Sequence, residues 1–223
     1  MEVNVMLFSN TRKRVMSGWL KMHHRQEFGS ALKLQKFLFF YEALSKIENE
    51  NSDFRTLKGY VNGPVFSDVY GDYTYRYDEF ADNIEDAYEL NPQILNEDRA
   101  KFSGFLVNIL NEGELSDITH ELNIWSVKKE QIDRGVKHIP LVEEDLNEND
   151  ADLLLSLKEM YSTEYIDSVK VIEVSGKSFI IKHSDVEKLT TEQESVFITL
   201  ADDDSLENPV YVSVSEDGVV LVD

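Results

Sequence analysis

The chain contains no cysteine. Disulfide bracing, thiolate nucleophiles and cysteine-ligated zinc are excluded with it, because each needs a sulfur atom. No apolar run approaches the length needed to span a bilayer. The N-terminus lacks the basic-then-apolar design of a secretory signal, so residence in the cytoplasm and no membrane partner are expected. A Gly-x-Ser-x-Gly elbow is missing, which removes the commonest serine hydrolase arrangement. So is a dinucleotide fingerprint, and no P-loop stands beside the lysines discussed below. Glycine and proline number only ten and four, and no internal repeat or low-complexity tract is present.

Positive charge is also in short supply. The formal net charge is −21, and it is unevenly spread. Residues 1–46 hold 8 basic and 3 acidic side chains, residues 47–140 hold 9 and 19, and residues 141–223 hold 5 and 21. Acidity on this scale disfavours nucleic acid as a partner, since backbone binding needs cations that displace counterions. It describes a well-solvated surface, or one attractive to a basic protein. With 42% hydrophobic residues, the chain nevertheless has ample material for a core.

Helical periodicity dominates the first two thirds. Residues 1–8 alternate Val3, Val5 and Leu7 with other residues, the pattern of a short strand. Thr11 is placed to cap a helix over about 11–22 that carries Val15, Met16, Trp19 and Leu20. Ser30 caps the next, about 31–48, where Leu34, Phe37, Leu38, Tyr41 and Leu44 recur at helical spacing and Phe39 and Phe40 extend the apolar surface. A helix apolar almost all round belongs at the centre of a fold. An extended segment over 56–61 follows, and Gly63-Pro64 reads as the start of a helix over about 64–79. Further helices are expected near 80–88, 96–111, 114–123 and 125–133.

Residues 141–150 are acidic and asparagine-rich and read as a boundary. A helix over about 150–163 comes next, and then the period changes. Val169, Val171 and Val174; Phe179-Ile180-Ile181; Val196-Phe197-Ile198; 210–214; and 219–222 all read as strands. Ser175-Gly176-Lys177 and Glu216-Asp217-Gly218 read as hairpin turns. The expected fold class is α+β: a mainly helical domain over 1–145, then an acidic helix with a small antiparallel β appendix over 146–223.

Few groups arranged for chemistry are found. Asp117 and His120 share a helix face, but His23, His24, His138 and His183 supply no matching ligand spacing, so His120 reads as a structural histidine and no metal or cofactor is expected. Ala201-Asp202-Asp203-Asp204 lacks the glycine and glutamate of a calcium loop. Tyr70, Tyr73, Tyr75 and Tyr77 surround a single Arg76 among acids, a cluster suited to packing and a protein-facing edge rather than to base stacking. On their helix, Lys33 and Lys36 flank Gln35, which alone would make a solvated stripe or let the lysine stems cover apolar neighbours. Trp125 reads as core.

Three motifs in order carry a resemblance. Leu32-Lys33-Leu34-Gln35-Lys36 leads into the aromatic run Phe37-Leu38-Phe39-Phe40-Tyr41. Gly63-Pro64-Val65 follows, with Tyr70 a turn or so later. Leu115-Ser116-Asp117-Ile118-Thr119-His120-Glu121 then precedes Trp125. With this spacing, over about residues 15–140, the chain resembles the Panacea domain family, also described as SocA-like antitoxin domains. Tyr60-Val61-Asn62 departs from the residues common before the Gly-Pro pair, and the β-rich C-terminal region is an addition to the common core.

The resemblance implies a non-catalytic protein of a type II toxin–antitoxin system, of the kind found in prophages, that neutralises a protein toxin by direct non-covalent contact. The acidity here suits a basic toxin. An alternative role is that of a proteolytic adaptor, or of a phage-encoded anti-defence protein that binds a host protease or nuclease. The implied partner-binding surface comprises Lys33, Gln35, Lys36, Asn62, Gly63, Pro64, Val65, Tyr70, His120 and Trp125. A rigid Gly-Pro corner beside the lysine-bearing helix loses little entropy on binding.

Overall fold

The computed structural model describes residues 6–216 and 219–222. It is an α+β protein built around one buried helix. Helix α1 (Thr11–His23) begins at Asn10, whose side chain accepts from the Lys13 amide at 3.0 Å. Asn10, not Thr11, is therefore the cap, and Thr11 is the first helical residue. A single turn, α2 (Arg25–Phe28), leads to α3 (Ala31–Ile47), where Ser30 accepts from the Lys33 amide as expected. Every residue of α3 from Leu34 to Ser45 is buried. That burial includes the side chains that fall off the main apolar stripe, among them Phe39 and Phe40.

Strands β1 (Leu57–Tyr60) and β2 (Gly63–Phe66) form a tight antiparallel hairpin, pairing Tyr60 with Gly63 and Gly59 with Pro64. The expected helix start at Gly63-Pro64 is thus corrected. Gly63 has φ +108°, outside helical space, and Pro64 sits in β2, an edge strand where its missing N–H is tolerated. The helix begins after the hairpin, as α4 (Ser67–Tyr75), and α5 (Tyr77–Leu90) follows at once. Then come α6 (Glu97–Ile109), α7 (Glu112–Glu121), and the short α8 (Asn123–Ser126) and α9 (Lys129–Asp133). A reciprocal capping box between Asn111 and Glu114 starts α7. The two-residue β3 (Ile139–Pro140) completes a sheet of order β2-β1-β3.

The acidic stretch ends in a second capping box, Asn147 with Asp150, that opens α10 (Glu148–Met160). After α11 (Thr163–Ser168) come β4 (Val169–Val174), β5 (Lys177–Lys182), α12 (His183–Val186), α13 (Thr191–Ala201), β6 (Val210–Val214) and β7 (Val220–Val222). They form a sheet of order β4-β5-β6-β7. Two expectations fail here. The run Val196-Phe197-Ile198 is helical, part of α13, with Phe197 buried against Phe179 at a ring separation of 5.1 Å while Val196 and Ile198 stay exposed. And β5 pairs with β6 in parallel, so the sheet is mixed. The two facts are one: a parallel pair needs a crossover, and α12 and α13 supply it. The strand expected at the N-terminus falls mostly on residues 1–5, outside the described residues, and residues 6–8 are not extended into a strand. The Asp217-Gly218 turn also lies outside the described residues.

Among the described residues two hydrophobic clusters result. The larger wraps α3 with α1, α5, α6 and the hairpin, and takes in Leu154 of α10, Tyr161, Val169 and Ile180. The smaller fills the far face of the second sheet with Phe179, Ile181, Phe197, Val210, Val212 and Val214. The acidic stretch therefore precedes, rather than separates, the last pieces of the larger core. Among the described residues no helix is long and apolar enough to cross a membrane.

Candidate functional site

The N-terminal turn of α3 and the β1–β2 hairpin enclose an open groove of about 690 Å³. Leu32, Tyr60, Val61, Pro64, Val65 and Tyr70 supply its apolar walls, and Glu112 stands at its rim. Tyr60, Val61 and Tyr70 remain solvent-exposed, Val61 at 70%. The hairpin turn lifts Tyr60 and Val61 away from the core that Leu57 and Phe66 of its strands join, and Tyr70 stands beside them on α4.

Gln35 and Lys36 form the floor. Both are buried, at 2% and 1% exposure. The Gln35 Oε1 accepts from the Phe66 amide at 2.7 Å, which clamps β2 onto α3, while its Nε2 has no partner among the described residues. Lys36 Nζ donates to the Asn62 carbonyl at 2.6 Å and to Thr119 Oγ1 at 2.5 Å. Those two contacts tie α3 to the hairpin turn and to α7. The expectation of a solvated lysine is thus corrected for Lys36: helical position 36 faces the hairpin, not water. Burial without a carboxylate lowers its pKa to about 7.

Gly63 exists for this lysine. A Cβ at position 63 would overlap Lys36 Nζ and come within 2.7 Å of Thr119 Oγ1. The glycine therefore answers two demands, a positive φ and a close approach by an ammonium group.

His120 and Trp125 support the hairpin from behind and do not line the groove. Their rings stack at 3.8 Å, and Trp125 Nε1 donates to the Tyr60 carbonyl at 2.9 Å. Burial, and next the nearby Lys36 ammonium, push the His120 pKa below its ordinary value. Lys33 is also absent from the groove lining. It is half-buried, and its charge is felt by His24 and Glu27 on the α2 side. Of the ten expected surface residues, then, Gln35, Lys36, Asn62, Pro64, Val65 and Tyr70 line one groove, and Gly63 lies beneath it.

Sequence reasoning did not single out Thr119, Tyr60, Val61 or Glu112 as site residues. Thr119 was discoverable: it lies four residues after Leu115 on the same buried helix face, where a polar residue needs a polar partner. A second depression, of about 470 Å³, is bordered by Arg12, Asp53, Arg55, Glu143 and Glu144. Its charges are largely answered internally, Arg55 by Asp53 and Arg12 by Glu42. Among the described residues no cluster of histidine and acidic side chains is arranged to hold a metal ion.

Compared with protein-family models, with curated proteins and with solved structures, the chain gives no match.

Proposed function

We propose that this chain is a Panacea-like, antitoxin-type module that neutralises a partner protein by covering part of its surface, without catalysis. The observation that carries the reading is the groove itself: exposed Tyr60, Val61 and Tyr70 stand around a floor locked by Lys36, Gln35 and Gly63. Aromatic side chains around a rigid concavity are the arrangement from which binding hot spots are made. The net charge of −21 adds long-range attraction for a basic partner and speeds encounter more than it tightens the complex.

The test is capture and rescue. The tagged chain is used to capture partners from its host, and each captured protein is expressed alone and then together with this chain. A partner that arrests growth alone, and is silenced by co-expression, supports the reading. Val61→Glu with Tyr70→Glu should remove both capture and rescue without unfolding the protein, since both side chains are exposed. A folded double variant that still rescues growth refutes the groove as the neutralising surface. Capture only of a protease or nuclease, with no toxic protein, transfers the chain to the adaptor or anti-defence role.

A further inference from the structure

Three cations are buried among the described residues: Lys13, Lys36 and Arg99. Lys13 is paired with Glu42, and Arg99 with Glu48 and Glu50. Lys36 has no carboxylate partner among the described residues; its two acceptors are a backbone carbonyl and a hydroxyl, both neutral. A buried cation left uncompensated is costly, and folds normally place an anion beside it. Here the lysine forms the floor of a groove, and the amide nitrogen of Gln35, also on that floor, has hydrogen-bonding capacity unspent.

We infer that the groove receives the free C-terminal carboxylate of a partner polypeptide, with Lys36 and Gln35 as its donors and the apolar walls holding the last side chain. The inference rests on the protein-binding reading above and names the chemistry of what enters the groove. One ammonium and one amide match a single negative charge; a phosphate group carries more charge and more acceptors than this floor answers. Glu112, also in the lining, repels a doubly charged anion about twice as strongly as a single carboxylate. A chain end brings a carboxylate and a side chain on the same residue, and the groove sets its donors beside Leu32, Pro64 and Val65 in one space. Capture of a terminal carboxylate is a recurring mode of peptide recognition.

The lowered pKa of Lys36 agrees with this arrangement, because an anion bound against the amine restores the charged form that burial disfavours.

The experiment uses the full chain and a panel of fluorescent hexapeptides ending in Leu, Val, Ile or Phe. Each is made as the free acid and as the C-terminal amide, and binding is read by anisotropy. At least one free acid should bind, and its amide should bind roughly tenfold more weakly or worse. Lys36→Met, with folding checked by circular dichroism, should erase the difference between acid and amide. Gln35→Leu, which also releases the Phe66 amide and is therefore checked for folding in the same way, should reduce the preference without removing a charge. Equal binding of acids and amides overturns the inference, as does an acid preference that survives in the folded Lys36→Met protein. Absence of binding by every free acid also overturns it. So does binding of dodecanoate alone, which would make the groove a site for small organic acids. Failure here is distinct from failure of the proposed function. If a captured toxin shortened by its last three residues is still neutralised, while Val61→Glu/Tyr70→Glu abolishes neutralisation, the groove is a protein-binding surface that does not read chain ends.

Discussion

Replacing Lys36 by methionine tests the central claim about the groove floor, that an amine is held there at an energetic cost. The substitution removes the charge and keeps an unbranched apolar stem. It orphans little. The Asn62 carbonyl still accepts from Ser116 Oγ at 3.2 Å, and Thr119 Oγ1 can still donate to the Leu115 carbonyl at 3.1 Å or that of Ser116 at 3.0 Å. Burial brings the Lys36 pKa from 10.5 to about 7. At about 1.4 kcal/mol per pH unit, that is a penalty on the charged form of about 5 kcal/mol. The sign follows from proton counts. Between pH 7 and 10.5 the unfolded chain binds the proton and the folded one does not, so stability rises with pH across that window. Below pH 7 both states are protonated and the full penalty applies. Urea unfolding of wild type and Lys36→Met at pH 7 and pH 9 isolates the effect, because every other titrating group is common to the two proteins. The wild type should gain about 2 kcal/mol more than the variant over that interval, and the variant should be at least as stable at pH 6. Parallel stability curves between pH 7 and 9 would mean that the amine titrates at its ordinary value, and the account of the buried floor would be refuted.

Gly63→Ala should destabilise by about 2–4 kcal/mol, since it adds both backbone strain and overlap with Lys36; in the Lys36→Met background the loss should be smaller, and a double-mutant cycle by chemical denaturation measures the difference. Glu42→Gln should cost about 3–5 kcal/mol by leaving buried Lys13 and the half-buried Arg12 without their shared carboxylate, read as a lower urea midpoint with an unchanged slope. His24, held at about 4 by burial first and then by His23 and Lys33, binds its proton in the unfolded chain before the folded one does. Stability should therefore fall as pH drops from 6.5 to 4, and a His24→Leu variant should lose less over the same range in thermal melts. Gly18→Ala should also unfold the protein at lower temperature, because its Cβ would overlap the Ile84 carbonyl where α1 crosses α5.

The helical part of the fold was legible because its signals are local. The apolar recurrence through α3 and the Ser30 cap lie within a few residues of what they specify. The hairpin at Gly63-Pro64 was not, because the same dipeptide opens a helix or occupies an edge strand, and the choice is made by Lys36 and Thr119, 27 residues before and 56 after Gly63. Val196-Phe197-Ile198 fails for a related reason: three apolar residues have no measurable period, and only the packing of Phe197 on Phe179 decides them. At the site, six of the ten expected residues line one groove, though not for the reason their pattern in the sequence suggests. Lys33 and Lys36 look alike in sequence, yet one lies at the α2 side and the other beneath the hairpin, a distinction set by tertiary packing rather than by helix phase alone.

The burial of α3 on every side has a consequence for how the chain is made. The helix is complete once residue 47 has been synthesised, but Leu154, which joins the core around it, arrives more than a hundred residues later. Until then the nascent chain carries a greasy cylinder with one flank bare. Synthesis that stalls before α10, or proteolysis that removes it, leaves a product prone to self-association rather than a smaller working domain. The Lys158–Glu48 ion pair, which latches α10 onto the end of α3, marks the point at which that hazard ends.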